Sequence, residues 1–98
     1  MAHQTSRPKV TGWSGPFVGA SVFIRTVTFH YTGRVTSLTP EWIHLDDAAW
    51  IADSGRFSAA LATGTLSEVE PYPGPVSIAR GAIVDVAPWP HALPRTVK

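Results

Sequence analysis

The sequence has 98 residues, a formal net charge of +1, 44% hydrophobic residues and 15% charged residues. This length and composition indicate one globular domain and argue against a disordered or polyelectrolyte chain. Eight Lys and Arg stand against seven Asp and Glu without forming a basic stripe, and cysteine is absent. The chain therefore lacks the charge pattern of a dedicated nucleic-acid binder, and it excludes disulfide and thiolate chemistry.

The beginning of the chain predicts an N-terminal arm over residues 1–16, because Pro and Gly interrupt a polar stretch there. This stretch has no apolar core, and no apolar run approaches ~18 residues anywhere, so we expect no signal peptide and no membrane partner. The expected location is cytoplasmic.

The main domain is predicted over residues 17–87. Residues 17–31, rich in Val, Ile, Thr and aromatic side chains, predict one strand; a second follows directly, and residues 42–51 predict a third. Residues 53–64 predict a short helix with Asp53 or Ser54 as N-cap and Gly64 as its end. A proline-rich connector (68–75), strand residues from 76 to 86 and a proline-rich tail (88–98) complete the chain.

This order of elements predicts a mainly β protein: a small, five-stranded, strongly bent antiparallel barrel of the Sm or SH3 type with one short helical insertion. The alternative is an open antiparallel sheet with a helix packed on one face. In either case the edge strands need cover, from closure, from the tails or from a neighbouring chain.

Two stretches resemble the paired motifs of the Sm-like (LSm) family. The first is SVFIRTVTFHYTGRVTSLTPEWIHLDDA, with Gly33 in a bent strand and Leu45 before two acidic residues; the second is IARGAIVDV, with Arg80 and Gly81 as the matching pair. The resemblance implies a barrel whose subunits pair edge to edge into a ring. It also implies that Arg80 faces the central hole, while Gly81 permits a tight turn.

The same resemblance implies a site for single-stranded RNA or a nucleotide, although the family's Asp and Asn are absent from the equivalent stretch TPEWIH, where Thr39 replaces the Asp. The candidate ligand-binding residues are Arg80, Gly81, Tyr31, Arg34 and Trp42. Arginine can stack on a base or pair with a phosphate, and aromatic rings stack on bases.

No enzyme motif, cofactor or metal site is expected. His30, His44 and His91, with Asp46 and Asp47, lack the spacing of a compact metal motif. Asp46 and Asp47 are adjacent in a strand and should face opposite sides, so they should not act as an acid–base pair. We expect them either to cap the end of the strand or to meet Arg25, Arg34 or Arg80 across strands or subunits.

Several apolar residues are candidates for an interface with copies of the same chain: Trp13, Trp89, Phe17, Val84 and Val86. The indoles of Trp13 and Trp89 lie in Gly- and Pro-rich segments, so they either anchor onto a neighbouring subunit or cover the ends of their own barrel. The sequence thus favours a non-enzymatic, homo-oligomeric, ring-forming structural protein. An Sm-like RNA or nucleotide binder with Arg80 at the pore is the alternative.

Overall fold

The computed structural model describes residues 12–98 as a mainly β fold with one short helix. Its elements in chain order are β1 (Ser21–Thr26), β2 (His30–Leu38), β3 (Trp42–Asp53), α1 (Phe57–Thr63), β4 (Glu68–Pro71), β5 (Val76–Ala79), a 3-10 turn (Arg80–Ala82) and β6 (Ile83–Pro88). The antiparallel, mainly β prediction is confirmed, but the sheet has six strands where five were expected. Most of the predicted N-terminal arm, residues 1–11, lies outside the described residues.

The strands form one antiparallel sheet in the order β4-β3-β2-β1-β6, and β5 joins the same sheet by pairing with β3. With twelve residues, β3 is long enough to pair with β5 along its first half and with β4 along its second. The additional strand, β4, lies inside the proline-rich connector. Proline has no N–H and is therefore tolerated in a strand only where the ladder does not need that N–H as a donor. A four-residue strand can thus form between Gly64 and Pro73.

Both faces of the sheet are packed. One hydrophobic cluster includes Val22, Ile24 and Leu45, and the other includes Phe23, Ile51 and Trp89. The alternation of β1 sends neighbouring side chains to opposite faces, and α1 and the C-terminal tail cover the second face through Ala60, Leu61 and Leu93. The insertion that carries α1 thus packs on its own sheet.

The prediction of one strand over residues 17–31 is wrong, because a hairpin turn divides it at Val27–Phe29. The N–H of Thr26 donates to the carbonyl of Phe29 over 2.7 Å, and the N–H of Phe29 donates to Thr26 Oγ1 over 2.9 Å. A threonine side chain thus closes a turn that contains no Gly, Asn or Pro, the residues that normally mark turns.

A β-bulge interrupts β3 opposite Gly33. Thr32 pairs with Ala49 and Arg34 with Asp46, so Asp47 and Ala48 together face Gly33. Asp47 has a φ of 51°, and the extra residue reverses the phase of β3, which explains why Leu45 and Ile51 lie in different clusters.

The helix is shorter than predicted. Asp53 Oδ1 accepts the N–H of Gly55 over 2.7 Å instead of capping the helix, and α1 begins after Arg56 without a side-chain cap. Its end is as predicted: Gly64 has a φ of 78°, and its N–H donates to the carbonyl of Ala60 over 2.8 Å.

The C-terminal tail folds back over the second cluster and reaches the outer edge of β4. Val69 and Lys98 exchange two backbone hydrogen bonds of 2.9 Å each. Lys98 therefore protects part of this sheet edge.

Thr32 is fully buried, and its Oγ1 has no hydrogen-bond partner within residues 12–98. We expect Thr32→Val to raise the free energy of unfolding by about 1 kcal/mol, because it removes an unpaired hydroxyl with little change of shape. Urea unfolding checks this, with Thr28→Val at an exposed position as control. A lower midpoint for Thr32→Val would mean that the hydroxyl has a partner in solution.

Candidate functional site

Hydrogen bonds in the β2–β3 turn fix the backbone of Trp42, whose indole is exposed. The N–H of Trp42 donates to Thr39 Oγ1 over 3.0 Å, and the N–H of Thr39 donates to the carbonyl of Trp42 over 3.0 Å. The turn Thr39–Trp42 thus repeats the closure of the turn Thr26–Phe29. The pattern Thr-x-x-aromatic occurs in both TVTF and TPEW, and it is the sequence signal that could have located the first hairpin.

The backbone of Trp42 lies close to that of Arg80. The N–H of Arg80 donates to the carbonyl of Glu41 over 2.9 Å, and Trp42 is paired with Ala79 in the β3–β5 ladder. The indole is 44% exposed, and Arg80 and Gly81 are exposed as well. An exposed indole and an exposed guanidinium at neighbouring backbone positions are the side-chain types that bind a flat ring and a negative group.

The four ion pairs within residues 12–98 do not include Arg80. They join Arg25 to Asp85, Arg34 to Asp46 and to Asp47, and Arg95 to Asp47. The guanidinium of Arg80 is therefore free of carboxylates in the described part of the chain, whereas that of Arg34 is already neutralised.

The other two candidate ligand-binding residues, Tyr31 and Arg34, lie away from Trp42 and Arg80. Tyr31 pairs with Ile24 and Trp50 in the middle ladders of the sheet, and its ring lies 6.4 Å from that of Tyr72. Burial raises the pKa of Tyr31, and Tyr72 acts in the same direction. Arg34 pairs with Ser21 and Asp46 across its two ladders. The structure thus brings together Trp42, Arg80 and Gly81 only.

Asp46 and Asp47 both face Arg34, contrary to the expectation that they point to opposite sides. Arg34 Nη2 lies 3.7 Å from Asp46 Oδ2, and Arg34 Nη1 donates to Asp47 Oδ2. The bulge at Asp47 is the reason, because it breaks the strict alternation of the strand. The hydrogen bond from Arg34 holds the pKa of Asp47 below its ordinary value, and the charge of Arg95 acts in the same direction.

The candidate interface residues fall into two places. Trp89 is 2% exposed within the chain, and its ring contacts those of Phe23 and His91 at centroid distances of 5.5 and 4.7 Å. Trp13 and Phe17 lie near it, with ring centroids 6.1 Å apart. Val84 and Val86 lie on β6, where Val84 is 59% exposed at a bulge and Val86 packs against the first cluster.

A charged pair crosses the β1–β6 ladder. Arg25 Nε donates to Asp85 Oδ1 over 2.9 Å, and the guanidinium lies 5.0 Å from the ring centroid of Phe57. The hydrogen bond from Arg25 lowers the pKa of Asp85. Burial lowers the pKa of the neighbouring His30, and the charge of Arg25 adds to this effect.

His44 and His91 each form a hydrogen bond with a different partner. His44 Nδ1 lies 2.6 Å from Ser77 Oγ, and His91 Nε2 lies 2.8 Å from the carbonyl oxygen of Leu61. Among residues 12–98, no three His, Asp or Glu side chains come together as metal ligands.

Acidification is expected to lower the free energy of unfolding. Asp47, Asp85 and His30 all have lowered pKa values in the folded chain, so the unfolded chain binds more protons. The loss should begin as the pH falls through the ordinary pKa of His, 6.5, and continue through and below the ordinary pKa of Asp, 3.8. Urea unfolding at constant ionic strength measures this. Asp85→Asn should be less stable than the wild type at pH 7 and less sensitive to acid; equal acid sensitivity would contradict the assignment.

Gly33 and Gly81 should respond oppositely to alanine. A Cβ at Gly33 would lie 3.1 Å from Leu45 Cβ and 3.3 Å from Ala48 Cβ, while one at Gly81 would meet nothing within 4 Å. Gly81 is not among the glycines with positive φ, so the 3-10 turn does not need a glycine. We expect Gly33→Ala to cost about 1–3 kcal/mol by overpacking and Gly81→Ala to be neutral or stabilising. Equal thermal midpoints for the two variants would contradict this.

Comparison of the chain with models of protein families, with curated proteins and with solved structures finds no match.

No helix within residues 12–98 has the length and apolar character needed to cross a membrane.

Proposed function

We propose that this chain is a non-enzymatic structural protein that assembles with copies of itself, by pairing the outer edge of β5 in one copy with the outer edge of β6 in the next. The observation that carries the proposal is the pair of open edges. In residues 12–98, β5 pairs only with β3 and β6 only with β1. Unpaired strand edges attract other strands, and β6 adds an exposed Val84.

The connection between β5 and β6 supports a strongly curved, barrel-like sheet of the Sm or SH3 type. In a flat sheet of order β5-β3-β2-β1-β6, the outer strands would be separated by about 19 Å, which is four strand spacings. The 3-10 turn Arg80–Ala82 spans only about 8 Å between Ala79 and Ile83. We infer that the sheet curves until its two margins approach each other.

Pairing between two different edges favours a ring. A contact between unlike surfaces repeats from copy to copy, and it closes when the rotation between copies allows it. In a closed ring every β5 edge and every β6 edge is paired. The assembly therefore satisfies the backbone hydrogen-bonding groups that stay unpaired at these edges in the single chain. By contrast, the edge of β4 is partly covered by Lys98.

The molar mass in solution tests the proposal. We expect light scattering to report a defined multiple of 10.5 kDa at micromolar concentration. Val84→Lys places a charge at the β6 edge and should shift the mass toward the monomer with an unchanged circular dichroism spectrum. Val97→Lys, at an exposed position outside the sheet, is the matched control. A monomeric wild type, or an unchanged mass for Val84→Lys, would contradict the proposal.

A second function, the binding of single-stranded RNA or a nucleotide, is favoured by Trp42 beside Arg80. Fluorescence anisotropy with labelled oligo(U) and oligo(A) tests it. If it holds, the affinity falls steeply as salt rises, and Arg80→Ala and Trp42→Ala weaken binding, whereas the exposed Arg56→Ala does not. Absence of binding at low salt, or equal effects of Arg80→Ala and Arg56→Ala, would exclude it.

A further inference from the structure

The turn between β1 and β2 presents apolar side chains to solvent. We call residues Val27–Phe29 the β1–β2 tip; Val27 is 84% exposed and Phe29 is 46% exposed. Hydrogen bonds to both backbone and side chain of Thr26 hold the tip, and the Phe29 ring packs edge-on against Trp50 at 5.6 Å. Because these contacts already order the tip, it would lose little entropy on binding.

An apolar notch lies at the start of β1 and the end of β6. We call it the terminal notch; its volume is about 200 Å³, and its apolar lining consists of Trp13, Phe17, Ala20, Pro88, Trp89 and Pro90. A dry cavity of about 150 Å³ in another protein holds a benzene ring. The terminal notch is therefore large enough for a valine side chain or one phenyl ring.

The notch offers little to orient a small polar ligand. The polar side-chain groups of the lining are the hydroxyl of Ser21 and the indole N–H groups of Trp13 and Trp89, and that of Trp89 already donates to the carbonyl of Ala92 over 3.2 Å. Ligand pockets normally combine an apolar lining with several convergent polar groups. The notch is thus suited to an apolar side chain of a protein.

The tip and the notch lie at opposite ends of the β1–β6 ladder. Thr26 pairs with Ile83 at one end, and Val22 pairs with Pro88 at the other. Residues 21 and 26 are about 17 Å apart along an extended strand, and both turn and strand are held by hydrogen bonds. A chain therefore cannot place its own tip in its own notch, but two chains arranged head to tail can.

We propose that the β1–β2 tip of one copy inserts Val27 into the terminal notch of a second copy, with Phe29 packing on its rim. The contact joins unlike surfaces at opposite ends of the chain, so it repeats and builds a row of copies. An exposed valine that enters an aromatic and aliphatic pocket on the next molecule is an established way to form such rows. This deepens the proposed self-assembly, because the partner is again this chain, but it uses neither the β5 nor the β6 edge.

Engineered cysteines test the contact directly, since the natural sequence contains none. A mixture of Val27→Cys and Pro90→Cys chains should form a disulfide-linked heterodimer under mild oxidation, at least tenfold more than a mixture of Val97→Cys and Pro90→Cys. Val97 is an exposed control, 76% accessible. Equal yields in the two mixtures, or Val27→Cys chains linking mainly to one another, would overturn the proposal.

A charge variant distinguishes this contact from edge pairing. Val27→Asp should weaken end-to-end association about tenfold to hundredfold in sedimentation velocity, because a valine leaves an apolar pocket, and Thr28→Asp should have a smaller effect. If Val84→Lys reduces the mass while Val27→Asp and the cysteine mixture do nothing, edge pairing stands and the tip contact is wrong. If the wild type is monomeric up to millimolar concentration, both proposals fail.

Discussion

Trp89→Ala is expected to lower the free energy of unfolding by about 3–5 kcal/mol, the usual cost of truncating a buried aromatic residue. Trp89 is fully covered, and its ring packs on Phe23 and His91. Because small domains have a total stability of about 5–15 kcal/mol, this change removes a large fraction of it. The variant should unfold at a far lower urea concentration than the wild type.

Two variants make this result interpretable. Trp89→Phe keeps an aromatic ring and should lose clearly less stability, and Trp42→Ala removes an indole that is 44% exposed and should change stability by less than about 1 kcal/mol. If Trp89→Ala were no worse than Trp42→Ala at low protein concentration, the tail would not be docked on the sheet. The backbone hydrogen bonds between Lys98 and Val69 of β4 would then not be expected to form either.

Gly64→Ala is expected to be the most disruptive single-methyl substitution. Gly64 has a φ of 78°, and an added Cβ would lie 2.7 Å from His91 Cγ and 2.8 Å from His91 Cβ. The left-handed conformation costs alanine about 1 kcal/mol, and the clash must push away the tail segment whose His91 Nε2 contacts the carbonyl of Leu61. We expect a total loss of about 2–4 kcal/mol by thermal unfolding.

The double variant Gly64→Ala with His91→Gly separates the two causes, because an alanine at position 91 would keep its own Cβ 2.8 Å from the added methyl group. It removes the steric conflict but keeps the backbone strain, so its loss should be smaller than the sum of the two single losses. Simple additivity would show that His91 does not pack on Gly64 in solution. Gly81→Ala is the matched control, since an added Cβ there meets nothing within 4 Å.

These two variants bear on assembly because the tail lines the terminal notch and covers part of the β4 edge. Trp89 and Pro90 line the terminal notch, and Lys98 covers part of the β4 edge. A chain with a released tail would lose the notch and expose another strand edge. We therefore expect Trp89→Ala to change the mode of association as well as the stability, with more aggregation and less of the defined assembly.

Local structure could be predicted from the sequence where a single residue type determines the backbone conformation or the contact. Gly64 ends the helix because a left-handed residue is needed there, and the glycine was visible as such. The β-rich composition predicted antiparallel strands, and the adjacent Asp46 and Asp47 suggested an arginine partner, which is Arg34. The indole of Trp89 was recognisable as an anchor in an otherwise irregular tail.

What depended on pairing across the sheet could not be read from the residues alone. The first strand seemed continuous through Val27 and Thr28, because the side chain of Thr26 closes the hairpin instead of a Gly or Asn. The bulge at Asp47 reverses which residues of β3 share a face, and only its register against Gly33 reveals it.

By itself, then, the sequence determined the strand-rich character of this protein, the end of its helix and the residues able to anchor its tail, because these follow from local conformational preference and from the burial of large apolar groups. The tertiary structure alone decided where the strands break, how Trp42 comes to lie beside Arg80, and that the exposed tip and the notch lie at opposite ends of one ladder. The physical reason is that strand register and turn closure are set by hydrogen bonds between segments far apart in the chain, and no local pattern encodes them.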